Sequence, residues 1–166
     1  PKLAKMVQQL TTQALTDLVA MRTREGKALA EDMSARVQTI REHETCIAAR
    51  TPLLAQEAFD RMKIRIEKLL CSEIPDPPRL YQELAVYADR GDITEEIVRL
   101  DSHMIQFEET LNRAESVGKT LDFLLQEFGR EVNTIGSKAN DAEIAGHVVQ
   151  MKAELERIRE QVQNVE

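Results

Sequence analysis

GKTLDFLLQEFGREVNTIGSKAND, running from Gly118 to Asp141, is the stretch whose reading decides the fold. Leu121, Leu125, Phe128, Val132 and Ile135 recur at alternating spacings of four and three, which predicts a helix with one apolar stripe. Asp122, Gln126, Glu127, Arg130, Glu131 and Asn133 occupy its other faces, too polar for a helix buried all round. Glu127 and Glu131 stand one turn apart and project side by side. Gly136 is expected to end this helix, with Ser137 to Asp141 as the link to the next and Asn140 with Glu143 as a capping box. Lys138 beside the free N–H groups of that next helix would make either an anion site or an ordinary helix-helix turn.

Working outward, the same alternation returns downstream in Ile144, Val148, Met151, Leu155, Ile158, Val162 and Val165. Upstream it occurs in Ile93, Ile97, Leu100, Met104, Phe107, Leu111 and Ala114. Three such seams imply a helical bundle. Asp92 with Glu95 reads as a capping box for the upstream seam, and Gly91 as the left-handed stop of a short helix from Arg79 to Arg90. The proline-rich run Cys71 to Pro78 is the clearest boundary, because consecutive prolines stiffen an extended connection.

From Lys2 to Arg50 the apolar periodicity continues without a proline, bending, if anywhere, at Gly26. Thr51-Pro52 is expected to end that helix. Leu54, Ala58, Met62, Ile66 and Leu69 would then return along it as an antiparallel hairpin. Lys63, Arg65 and Lys68 read as a solvated face of the returning helix. The expected fold is all-α: a long helical hairpin arm over 1–74, serving as oligomer contact, followed by a small helical bundle over 79–166.

The chain has 166 residues, a formal charge of −7 and 4% aromatics without Trp. That composition suits helix packing and argues against a generic cationic binder of nucleic acid, so any such role rests on local basic groups. Cys46 and Cys71 lack metal-finger spacing and read as reduced thiols. With no apolar signal core or membrane-length segment, the expected location is the cytoplasm, and no membrane partner is expected. The start inside a helical pattern suggests a piece of a longer protein.

No phosphate loop, HExxH, GxSxG or dinucleotide fingerprint occurs, which disfavours the common motif-bearing enzymes and small organic cofactors. What remains is a carboxylate and histidine set on two neighbouring helices: Glu96, His103, Asp122, Glu127 and Glu131. Oxygen-rich donors of this type suit Mg²⁺ or Mn²⁺. Glu96 and His103 share a flank but lie roughly 10 Å apart along the axis, so carboxylates from the neighbouring helix must complete the set. Arg99 lies between them and is expected to pair with either, while Arg99, Arg130 and Lys138 would hold a phosphodiester. Acidic pairs one turn apart are also common on solvated helices, and a lone flanking histidine is commonly an interface residue.

Tyr81 to Phe107 (YQELAVYADRGDITEEIVRLDSHMIQF), Gly118 to Asp141 and Lys152 to Glu166 (KAELERIREQVQNVE) closely resemble the C-terminal domain of the bacterial YicC family of stress-associated proteins. Met21 to Met33 (MRTREGKALAEDM) resembles the end of that family's N-terminal region. The resemblance implies a metal-dependent endoribonuclease acting on RNA as a ring-like homo-oligomer, with a hexamer expected. Two departures matter. The family pattern QEMNRE stands here as Gln126-Glu127-Phe128-Gly129-Arg130-Glu131, and its VVE as Val148-Val149-Gln150.

The resulting assignments are His103, Glu96, Glu127 and Glu131 for catalysis, and Glu96, His103, Asp122, Glu127 and Glu131 for metal. Arg99, Arg130, Lys138, Asn140, Lys152 and Arg159 are assigned to RNA. The alternatives are a non-catalytic oligomeric RNA-binding adaptor and a coiled-coil scaffold.

Overall fold

The computed structural model describes residues 2–70, 81–82, 85–86, 89–113 and 115–165. The proline-rich run 71–78, with Cys71 and the expected boundary between the two parts, lies outside the described residues, as do Arg79 and Ala114. Four helices carry the fold: α1 (Lys2–Leu70), α2 (Thr94–Leu111), α3 (Gly118–Lys138) and α4 (Ala142–Val162). Residues 81–82, 85–86 and 89–91 are helical too, and no strand occurs among the described residues.

The all-α class holds, but the arm is one 69-residue helix, roughly 100 Å long, and not a hairpin. Pro52 sits inside it. Proline removes one backbone donor and crowds the preceding turn, which bends a helix but need not end it when other bonds brace the site. Here the Thr51 hydroxyl donates to the Ile47 carbonyl at 2.8 Å, and Arg50 forms a two-pronged bond to Glu57 across the proline at 2.7 and 2.8 Å. The helix also runs through Gly26 without interruption.

Leu29, Met33, Val37, Ile40, Ile47 and Leu54 place the middle of α1 in the core. There α1 packs against α4 and α2, α2 against α3, and α3 against α4, closing a four-helix ring whose neighbours all run antiparallel. The stripe from Leu121 to Ile135 is buried throughout, as are Ile93, Leu100, Met104 and Phe107 facing it. Phe107 and Phe128 meet at the centre with ring centroids 5.6 Å apart and tilted planes. By contrast residues 2–28 of α1 are exposed, including Leu3 at 72% and Leu10 at 65%.

Turn chemistry differs from the expectation at four places. Gly91 is itself helical and has no positive φ. Gly136 does not end α3, which continues to Lys138; a Cβ there would lie 3.0 Å from the Val148 side chain, so Gly136 permits the close approach of α4. Asn140 does not cap α4. It takes the left-handed conformation at φ 44°, and Asp141 caps instead, accepting from the Glu143 and Ile144 N–H groups at 3.0 Å. Asp92 accepts from the Thr94 N–H and hydroxyl, while Glu95 turns outward to Arg99, so no reciprocal box forms at α2.

Candidate active site

Two polar surfaces flank α3, and the expected residues divide between them. On the α2 side, Glu96 is 4% exposed and accepts from the Lys138 ammonium at 2.6 Å, while Lys138 also donates to the Asp92 carbonyl at 3.3 Å. Stepping seven residues along α2 and seven back along α3 from that pair reaches His103 and Glu131, level with each other across the antiparallel seam. Another heptad reaches Thr110 and Leu124. Glu96, Thr110 and Glu131 are the buried polar residues among those described, so this seam concentrates the polar burial of the molecule.

The partners along the seam are unequal. The second oxygen of Glu96 is buried without a hydrogen bond, and so is Nδ1 of His103. Glu131, 8% exposed, has no hydrogen-bond or ion-pair partner among the described residues. Burying an unpartnered polar atom costs about 1–3 kcal/mol; the Glu96 and His103 atoms carry that cost on this seam, and Arg50 Nε and Gln161 Oε1 carry it on α1 and α4. Glu127, one turn from Glu131, is engaged by Arg130 at 2.6 Å.

The other flank of α3 faces α4 across a cleft of about 590 Å³. Asp122 lies there, nine residues from Glu131, which at 3.6 residues per turn puts it about two and a half turns away and on the opposite face of the helix. Arg130, Lys152 and Arg159 line the same cleft beside Gln126, Asn133 and Glu156. Gly129 opens its floor, since a Cβ at this position would meet nothing within 4 Å. The three cations share the cleft with the carboxylates of Asp122 and Glu156, and Arg130 is paired with Glu127 and Arg159 with Glu156, so the lining is only slightly positive, with Lys152 the cation least engaged.

Several expected roles are thus redistributed. Among the described residues no three His, Cys, Asp or Glu side chains converge on a common point suited to a metal, so the five-residue set does not meet in one place. Arg99 pairs with Glu95, which precedes it by one turn, and not with Glu96 or His103. The N-terminus of α4 is closed by its own Asp141 carboxylate and the Lys138 ammonium is turned to Glu96, so the expected anion site is taken internally. Asn140 and Lys138 instead border a second, mainly apolar cavity of about 740 Å³ beside Pro52 and Tyr81.

A third polar row, on the α1–α4 seam, is absent from the sequence-based assignments. Arg36 pairs with Glu154 at 3.0 Å, His43 meets His147 at 3.0 Å, and Arg50 pairs with Asp141 at 3.1 Å. Its signal was present as polar residues at seven-residue intervals, Arg36, His43 and Arg50 against His147 and Glu154.

The family model described as Endoribonuclease YicC-like, C-terminal, matches residues 47–166. A protein of Clostridioides difficile strain 630 named probable endoribonuclease YicC is 44% identical over 162 residues, covering 97% of this chain and 55% of its own length. One of the same name from Haemophilus influenzae is 36% identical over 152 residues, covering 92% and 52%. The chain spans about half the length of these curated relatives.

Proposed function

This chain belongs to the family of YicC-like endoribonuclease C-terminal domains, and on that premise we propose that it supplies the RNA-cleaving part of a divalent-metal-dependent endoribonuclease. The observation that supports the reading is a pair of unpartnered polar groups that the antiparallel register brings to one level of the α2–α3 seam: Glu131, 8% exposed, and His103, whose Nδ1 is buried without a hydrogen bond. Acid and base groups of a phosphodiesterase need such freedom, because each must exchange a proton with the substrate. Glu127 stands one turn away to orient or relay, and Glu96 is a positioning residue tied to Lys138.

Glu131 and His103 offer two donors that fit Mg²⁺ or Mn²⁺, ions that keep several waters and accept phosphate oxygens. Such an ion supplies charge neutralisation at the scissile phosphate when bound. The α3–α4 cleft, through Arg130, Lys152 and Arg159, holds the RNA backbone while α3 carries both surfaces on one rigid rod. The exposed apolar face of residues 2–28 supports assembly as a homo-oligomer, since contiguous apolar surface of that length seeks a partner. No helix among the described residues is long and apolar enough to cross a membrane.

A labelled RNA hairpin incubated with Mn²⁺ and the purified protein tests the reading against Glu131→Gln and His103→Ala. Cleavage is expected for the parent and at least 100-fold less for each variant, with RNA affinity kept. Equal cleavage by the variants refutes the site, and binding without cleavage by the parent supports the adaptor reading instead.

A further inference from the structure

His43 on α1 and His147 on α4 bring their Nδ1 atoms to 3.0 Å, with ring centroids 5.2 Å apart and planes tilted by 52°. The rings are not stacked, and two nitrogen positions converge on one spot. Two imidazoles bound at the usual zinc–nitrogen distance of about 2.0–2.1 Å and a tetrahedral angle hold their nitrogens about 3.3 Å apart. To admit an ion the nitrogens must open by a few tenths of an ångström, and each ring must swing so that its Nδ1 lone pair leaves the N–N line of the hydrogen bond and points to the ion.

We propose that His43 and His147 form a two-histidine site for Zn²⁺ or a similar late first-row divalent ion, clasping α1 to α4. The neighbouring pairs fix its register: Arg36–Glu154 one heptad before His43 and Arg50–Asp141 one heptad after. Those carboxylates are engaged by arginines, which leaves imidazole nitrogen as the donor type at the site. Imidazole selects Zn²⁺, Ni²⁺ or Cu²⁺ over Mg²⁺, so this site is chemically distinct from the carboxylate-bearing α2–α3 seam and independent of the nuclease reading. Among the described residues no third His, Cys, Asp or Glu converges on it, so water completes the coordination. Without metal, one ring donates its Nδ1 proton to the other. With metal that ring carries its proton on Nε2, both Nδ1 lone pairs face the ion, and no net proton is released.

Thermal unfolding with and without ZnCl₂, on a Cys46→Ser/Cys71→Ser background that removes thiol binding, tests the site. At zinc about 100 times its Kd the midpoint is expected to rise by roughly 5–10 °C. Either His43→Gln or His147→Gln should abolish that rise, while Mg²⁺ should leave the parent unchanged. No zinc-induced rise in the parent, or the same rise in both variants, overturns the proposal. Imidazole ¹⁵N spectra decide the matter on the intact histidines should a variant fail to fold. Joint zinc-dependent shifts of His43 and His147 support the site, and a shift confined to His103 refutes it.

Discussion

Replacing Lys138 by methionine leaves the Glu96 carboxylate at the α2–α3 seam with neither oxygen paired. Glu96 is 4% exposed, its second oxygen already lacks a partner, and the lost bond measures 2.6 Å. Removing one member of a buried ion pair costs about 3–5 kcal/mol. The lysine side chain is 35% exposed, so solvent screens part of the interaction and the expected loss falls to about 2–3 kcal/mol. For a chain of this length that lowers the midpoint by roughly 5–10 °C. Urea unfolding of four proteins measures it: the parent, Lys138→Met, Glu96→Leu and the double variant. Because an apolar pair of similar volume packs without uncompensated charge, the double variant should return to within about 1 kcal/mol of the parent. If the double variant is as unstable as Lys138→Met alone, the cost lies in packing and the buried-charge argument fails. The alkaline side gives a further check. The hydrogen bond to Glu96 holds the Lys138 amine above the ordinary lysine range. The pair's contribution is therefore complete below the unfolded-state lysine pKa and disappears as pH rises through the higher folded-state value.

Gly129→Ala should stabilise by about 1 kcal/mol in thermal unfolding, since helix propensity improves and the added methyl meets nothing. Gly118→Ala should destabilise, because its Cβ would sit 2.4 Å from the Val165 carbonyl oxygen. Asp141→Ala should cost about 1–2 kcal/mol through loss of the α4 cap. The Ile144 N–H and then Arg50 hold the Asp141 carboxyl below the ordinary aspartate range. Its stabilisation is therefore present at neutral pH and lost as pH falls below about 4 through the depressed folded-state value, a slope that Asp141→Asn should flatten in acid denaturation. Replacing Lys152 and Arg159 by glutamine should weaken RNA binding across sequences and reduce the slope of log affinity against log salt by roughly 1–2.

The apolar alternation by itself determined the helices and their inward faces, because a 3.6-residue period leaves few other ways to bury leucine, isoleucine and valine. Leu121 to Ile135, Ile93 to Phe107 and Ile144 to Val162 all point where their spacing says. The same alternation held no information on whether α1 turns back at Pro52. Proline is compatible with a stop or a bend, and the choice fell to the Arg50–Glu57 brace and to contacts with α4, residues distant in sequence. Gly136 likewise reads locally as a terminator and acts as a point of close helix approach, a role defined only by Val148 across the interface.

For the candidate site, residue type and spacing singled out Glu96, His103, Glu127 and Glu131 as candidates and aligned Arg130, Lys152 and Arg159 along helix flanks. Tertiary structure decided who faces whom. It engaged Glu96 with Lys138, set His103 level with Glu131, and sent Asp122 to the opposite side of α3 in the α3–α4 cleft. It also joined His43 to His147. Periodicity specifies the angle of a side chain about its own axis. Only the antiparallel register between helices brings groups separated by more than a hundred residues to hydrogen-bonding distance.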